Sequence, residues 1–170
     1  MRNRIIIRVI QPEDAAAFLK LLNRLDEETE FRAYEPGERK TTAAKQKKLI
    51  ESILQSGNST ILLAEFENKL IGYLDAIGGS YNRNKHSAHI SIAILKEYTG
   101  KGIGKLLFKK IDEWAKSKNI HRLELCVFTY NEPGIKLYLK YGYNIEGIKL
   151  HSFRVGDRYV DEYLMAKIIK

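Results

Sequence analysis

Apolar and polar positions change period several times along the chain, and each change marks an element. Ile5-Ile6-Ile7-Arg8-Val9-Ile10 is an apolar run interrupted by one cation and predicts a strand. Gln11-Pro12-Glu13-Asp14 predicts a helix start, with proline near its first position and carboxylates in its first turn. Phe18, Leu21, Leu22 and Leu25 give that helix its apolar face, and Asp26-Glu27-Glu28-Thr29-Glu30 is its acidic end. The stretch from Phe31 to Glu38 has no period and contains Pro36-Gly37, so it reads as a loop. Thr41 predicts the cap of a second helix, with Ala44, Leu49, Ile50, Ile53 and Leu54 as its face and Gly57-Asn58 as its end. Thr60 to Phe66 and Leu70 to Ile77 read as strands, and the short polar connection Glu67-Asn68-Lys69 makes them an antiparallel hairpin. A further strand runs from His86 to Leu95. Ile103, Leu107, Ile111 and Trp114 then recur at helical spacing until about Lys118-Asn119. His121 to Phe128 is a strand, and Asn131 opens a short helix that Gly142 closes. Tyr143 to Leu150 and Tyr159 to Ile169 read as closing strands around a turn at Val155-Gly156-Asp157.

The order is β-α-α-β-β-β-α-β-α-β-β, an α/β (α+β) arrangement of about seven strands and four helices. One domain over residues 4–170 fits the length of 170 residues and shows no repeat or linker. The helix between the fourth and fifth strands is a crossover, which makes those strands parallel neighbours or nearly so.

Composition narrows the class. The chain is 44% hydrophobic and 29% charged, as expected of a soluble globular protein. No apolar run approaches the ~18 residues of a membrane span. The basic N-terminus precedes an apolar run too short for a signal peptide, so a cytoplasmic protein with no membrane partner is expected. Cys126 is the single cysteine; it excludes an internal disulfide and reads as a buried thiol. The net charge of +8 is compatible with nucleic acid, an anionic surface or an anionic cofactor. The basic residues are dispersed rather than clustered, which argues against nucleic acid. The four histidines lack metal-ligand spacing, so no metal is expected.

Tyr98-Thr99-Gly100-Lys101-Gly102-Ile103-Gly104-Lys105 carries the first chemical signal. Its glycines lie between a strand and a helix, where backbone amides and a helix N-terminus favour a phosphate. Lys101 and Lys105 add positive charge there. A P-loop alignment ending at Gly104-Lys105 fails at Thr99 and Leu106. A Gly-x-Gly-x-x-Gly fingerprint fails at Lys105 or Leu107. An ordinary strand–turn–helix connection remains as the bland reading. The surviving pattern, x-x-Gly-x-Gly, resembles the acetyl-CoA loop of the GNAT (Gcn5-related) N-acetyltransferase family, with Thr99 where arginine or glutamine is usual. A second stretch, Asn131 to Tyr143, resembles that family's Asn-x-x-Ala-x-x-Leu-Tyr-x-x-x-Gly-Phe. Asn131, Leu137, Tyr138 and Gly142 match; Gly134 and Tyr143 replace alanine and phenylalanine.

The resemblance spans nearly the whole chain and implies acetyl-CoA as co-substrate and a small-molecule or peptide amine as acceptor. A homodimer is compatible with it, because many relatives dimerise. It also implies that strands four and five splay apart to admit the pantetheine arm. Backbone groups of Ile92 and Ile94 would pair with that arm, Asn131 would bind it, and amides from Gly100 through Lys101, Gly102, Ile103, Gly104 and Lys105 would hold the pyrophosphate. Tyr138 would protonate the departing thiolate, since a phenol and an alkyl thiol have similar pKa values. Packing alone would also explain Tyr138, and a helix cap would explain Asn131. Glu35 and Asp75 are candidates to receive a cationic amine, although each alone reads as a solvated surface charge. Glu65 and Glu67 share that reading. His89 and Ser91 fall on one strand face. A non-catalytic CoA-binding or regulatory domain is the rival reading, and a nucleic-acid module is a weaker one.

Overall fold

A computed structural model describes residues 4–170; Met1 to Asn3 lie outside the described residues. The strands are β1 (Ile6–Val9), β2 (Thr60–Phe66), β3 (Lys69–Gly78), β4 (Ser87–Ile94), β5 (Arg122–Phe128), β6 (Asn144–Val155) and β7 (Arg158–Ile168). The helices are α1 (Ala15–Glu28), α2 (Ala43–Gln55), α3 (Ile103–Ser117) and α4 (Glu132–Lys140). The element order is the one the hydrophobic pattern predicts. The strands form one sheet in the order β1-β2-β3-β4-β5-β7-β6.

Local chemistry explains most element ends. The β2–β3 turn is tight because Glu67 and Asn68 both adopt positive φ, as a two-residue hairpin requires. Gly142 closes α4 with φ of +88°. Three expectations need correction here. Pro12–Asp14 is a short 3-10 turn before α1 rather than its first turn, held where the Asp14 carboxylate accepts the Gln11 amide at 2.7 Å. The α2 cap is Thr42, not Thr41: the Thr42 hydroxyl accepts the Lys45 amide at 3.3 Å. Ala44 and Leu49 are exposed, and the inward face of α2 begins at buried Gln46 and Ile50.

The sheet carries a separate core on each side. Phe18, Leu21, Leu22 and Leu25 of α1 and Ile50 of α2 pack on Ile61, Leu63 and Tyr73. Ile103, Leu107, Phe108 and Ile111 of α3 pack on Leu74, Ala76, Ile90, Leu123 and Leu125 across the other side. In that second core the Tyr143 hydroxyl and Asp112 Oδ1 are buried without hydrogen-bond partners.

Two features of this sheet make room for a site. Strands β4 and β5 are parallel and pair only at Ser87–Arg122, Ala88–Leu123 and His89–Glu124. Beyond Ile90 β4 therefore has a strand neighbour on its β3 edge alone. The helices α1 and α2 cover β2 and β3, leaving the same face of β4, β5 and β7 open.

Candidate active site

The backbone of β4 alternates direction, and its fixed bonds give the phase. The Ser87 carbonyl accepts from Gly79 on the β3 side, and the Leu95 amide donates to Ile71 on that side. The His86 carbonyl instead accepts from His121, on the β5 side. Even-numbered residues therefore turn their amides and carbonyls toward β5. The His89–Glu124 bridge uses the Ile90 amide; beyond it that direction is open, so the peptide groups of Ile92 and Ile94 face the gap. Their side chains pack with the α3 core.

The glycine turn stands at the end of this open edge. A 3-10 turn at Lys96–Tyr98 leads into it, and the Thr99 hydroxyl donates to the Lys96 carbonyl at 2.8 Å. Gly100 and Gly102 have φ of +74° and +80°, and a Cβ built on either would meet nothing within 4 Å. Conformation, and not crowding, therefore selects glycine at those two positions. Gly104 differs: a Cβ there would lie 3.7 Å from Leu137 and 3.9 Å from Ile94, in ordinary contact. Gly104 is the place where α3 abuts α4 and β4. No side chain caps the start of α3, and Lys101 and Lys105 are exposed beside it. The Lys101 ammonium lies 4.9 Å from the centre of the Tyr98 ring.

Helix α4 borders the gap from the other strand. Asn131 Oδ1 accepts the Gly134 amide at 3.1 Å, which caps the helix. A Cβ at position 134 would lie 2.7 Å from Asn131 Nδ2, so Gly134 lets the cap sit close. The Tyr138 ring is held edge-on by Phe108 at 6.1 Å and by Tyr143 at 6.0 Å. Burial pushes the Tyr138 phenol well above its usual range, with a smaller contribution from Tyr73. No hydrogen bond to the Tyr138 hydroxyl contributes. The two phenols are within electrostatic reach although they belong to the two different cores.

On the α1–α2 side, strand register sets Tyr73 opposite Ala93, Asp75 opposite Ser91 and Ile77 opposite His89. Opposed residues share a face, so Asp75, His89 and Ser91 lie together there. Asp75 is not the solvated charge its sequence context suggests. Burial raises its carboxyl to about 6 against the pull of the Ser91 amide, which donates to Asp75 Oδ1 at 2.9 Å. His89 is pushed down by burial, opposed by Glu124 and Glu162. Glu65 is also engaged, accepting from Arg8 at 2.8 Å. Cys126 is half-buried, and β5 alternation turns it to the face of Glu124, away from the buried Leu123, Leu125 and Val127.

A group of charges that the sequence did not suggest completes this face. Asp26 is 2% exposed and takes two arginines. Arg32 Nε donates to Asp26 Oδ1 at 2.6 Å, and Arg39 Nε donates to Asp26 Oδ2 at 2.6 Å. Arg32 Nη1 also donates to the Tyr73 hydroxyl at 3.1 Å. Phe31 packs 5.4 Å from Tyr130, joining the α1–α2 loop to the β5–α4 turn. Glu35 is exposed on the same loop, its amide bound to the Glu38 carboxylate at 2.9 Å. No contact links Glu35 with Asp75 among the described residues.

No helix is long and apolar enough to cross a membrane among the described residues, and no group of three potential metal ligands occurs there. The open β4 edge, the two empty glycine cradles and the uncapped helix start fit an extended ligand with a phosphate end, as coenzyme A is.

Comparison with known proteins agrees. Residues 20–143 match the family model described as the acetyltransferase (GNAT) family. The L-amino acid N-acetyltransferase AaaT of Escherichia coli K12 is 33% identical over 112 residues, covering 63% of this chain and 67% of that protein. The spermidine N(1)-acetyltransferase of the same organism is 24% identical over 154 residues, covering 90% and 80%. A GNAT-family acetyltransferase from Streptococcus pneumoniae superposes with a TM-score of 0.94 at 32% identity, over 98% of this chain and 100% of that one. The fold of yncA from Salmonella typhimurium, whose crystal structure includes its cofactor acetyl-CoA, superposes at 0.86 with 18% identity, over 99% and 95%. The chain therefore belongs to the acetyltransferase (GNAT) family, whose members are N-acetyltransferases that use acetyl-CoA as the acetyl donor.

Proposed function

We propose that this protein transfers an acetyl group directly from acetyl-CoA to a primary amine, with Tyr138 as the general acid. The open edge of β4, ending in the glycine turn and bordered by Tyr138, is the observation that carries this reading. The peptide groups of Ile92 and Ile94 receive the pantetheine arm as an added strand. The amides from Gly100 to Lys105 receive the pyrophosphate, with Lys101 and Lys105 beside it and the α3 dipole behind it. Asn131 has a free amide nitrogen once its oxygen caps α4, and that nitrogen serves the pantetheine carbonyls.

The acetyl thioester supplies an activated carbonyl and a thiolate leaving group. Tyr138 is suited to reprotonate that thiolate. An ordinary phenol already carries its proton at neutral pH, and no hydrogen bond commits the Tyr138 hydroxyl to another group among the described residues. The neutral amine is required as nucleophile, so the acceptor must lose a proton first. Asp75 can take that proton: its carboxyl, at about 6, is ionised at neutral pH, faces the acceptor side and can pass the proton on to water. Glu35 on the exposed loop offers negative charge at the approach in a chain that is basic overall.

Among related proteins the named acceptors include amino acids and spermidine, so small-molecule amines are the first panel to test; a peptide amine is the second. Thiol release from acetyl-CoA is the readout. Acceptor-dependent release supports transfer. A melting-temperature rise with acetyl-CoA, and no release with any amine, would support the non-catalytic CoA-binding reading instead.

A further inference from the structure

The charges on the α1–α2 side do not balance. Two guanidinium groups share the single carboxylate of Asp26, and all three are largely buried: Arg32 and Arg39 side chains are 12% and 14% exposed and Asp26 is 2% exposed. One positive charge is left over in a place with little water, where it is costly without an anion. Arg32 commits Nε to Asp26 and Nη1 to Tyr73, and its Nη2 donates to no acceptor among the described residues. The Tyr73 hydroxyl accepts from Arg32 Nη1 at 3.1 Å, and strand alternation puts Tyr73 on the same face of β3 as Asp75. Arg32 is near enough to lower the Asp75 pKa, yet no hydrogen bond joins them. A separated guanidinium and carboxylate on one face match the two charges of a zwitterion. The phosphates of coenzyme A do not compete for Arg32, since the glycine turn belongs to the α3 side of the sheet.

We propose that Arg32 binds the carboxylate of the acceptor, so that the amine substrate is an amino acid, its ammonium toward Asp75 and its carboxylate on the free Nη2 of Arg32. This rests on the acetyl-transfer reading of the same site. Arg39 is the counterpart that keeps Asp26 occupied and holds the loop when Arg32 turns to its ligand. The aromatic contact of Phe31 with Tyr130, next along the loop, closes the side of the face against an apolar amino-acid side chain.

The probe is L-phenylalanine, set against L-phenylalaninamide and phenethylamine, which keep the amine and lose the carboxylate. Spermidine is a fourth arm. Acceptor kcat/KM is expected to be at least ~10-fold higher for the acid than for either analogue, as for a charge-assisted pair lost. Arg32→Gln should abolish that ratio mainly through KM, and Arg32→Lys should restore part of it. A residue that only clamps the loop would leave the ratio unchanged while lowering the melting temperature. Equal use of the amide, a preference for spermidine, or an unchanged ratio in Arg32→Gln overturns the proposal. Ligand-induced melting shifts test the anchor without turnover. An acid-selective shift that Arg32→Gln removes, without thiol release from any amine, upholds the anchor and sinks the transfer reaction. Thiol release with amines but no acid-selective shift or rate sinks the anchor and leaves the transfer reaction standing.

Discussion

The two sides of the sheet offer a ligand different kinds of contact. On the α3 side the candidate contacts are peptide groups: the open edge of β4 and the amides of the glycine turn. On the α1–α2 side they are side chains gathered from far apart, with Asp26, Arg32 and Arg39 drawn against Tyr73 of β3, on the face that also holds Asp75. A backbone site constrains conformation and leaves side chains free to vary. A side-chain site is set by identity and is the one that discriminates between acceptors. One fold can thus keep its donor while its acceptor changes.

The largest effect should come from removing the carboxylate that holds the acceptor side together. Asp26→Ala leaves two buried guanidinium groups without a counter-ion, which costs about 3–5 kcal/mol. For a chain of this size that is a fall in melting temperature of roughly 6–20 °C. The upward shift given by acetyl-CoA should survive, because the glycine turn is on the other side. A fall of under about 2 °C would mean that water already solvates those arginines.

Tyr138→Phe should lower turnover by about 10²-fold or more, as expected when a general acid is lost, and leave the acetyl-CoA melting shift intact. Unchanged turnover on a confirmed acceptor would reduce Tyr138 to a packing residue.

Asp75 makes the acceptor side sensitive to pH. Its folded pKa of about 6 lies above the usual 3.8, so the folded chain keeps a proton that the unfolded chain has released. That contribution is favourable below about pH 4 and is lost as pH rises toward 6. Asp75→Asn should therefore melt higher than the parent above pH 6, and the two should converge near pH 4. A parent that melts higher at pH 7 would show that Asp75 is paired there. The acid limb of kcat/KM, near pH 6 in the parent, should disappear in the variant if ionised Asp75 receives the ammonium.

The smallest effect separates two glycines of one turn. Gly102→Ala puts a side chain at φ of +80° and should cost about 1–2 kcal/mol, with weaker acetyl-CoA binding. Gly104→Ala meets only ordinary contacts with Leu137 and Ile94, and helix propensity favours alanine by about 1 kcal/mol, so stability should hold or rise. Equal losses at both positions would show that backbone conformation is not what selects glycine at position 102.

The same contrast explains what could be read from the chain. Strand alternation, the glycine turn and the Asn131–Gly142 motif are local in sequence, and periodicity or spacing exposes them. The arginine pair is not local: Arg32 and Arg39 lie in an aperiodic loop, and their partner looked like one member of an acidic helix end. A signal did exist. Asp26 follows Leu22 by four positions and Phe18 by eight, so it falls on the buried stripe of α1, where a carboxylate needs partners. Counting faces would also have separated Cys126 from Leu125 and Val127. Thr42 rather than Thr41 as the cap of α2, and the exposure of Leu49, turned on a shift of one residue in helix phase, which two adjacent threonines leave open.

The brief seam between β4 and β5 also bears on cooperativity. Within the sheet three residue pairs join a four-stranded half, β1 to β4, to a three-stranded half, β5 to β7, and the α3 core packs on both. Such halves can open as separate units, each with its own local stability. A ligand that lies in the gap and bonds to the β4 edge acts as the missing strand and welds them. Hydrogen exchange at Ile92 and Ile94 would then report donor occupancy directly, and protease resistance of the whole chain would rise and fall with the acetyl-CoA level around it.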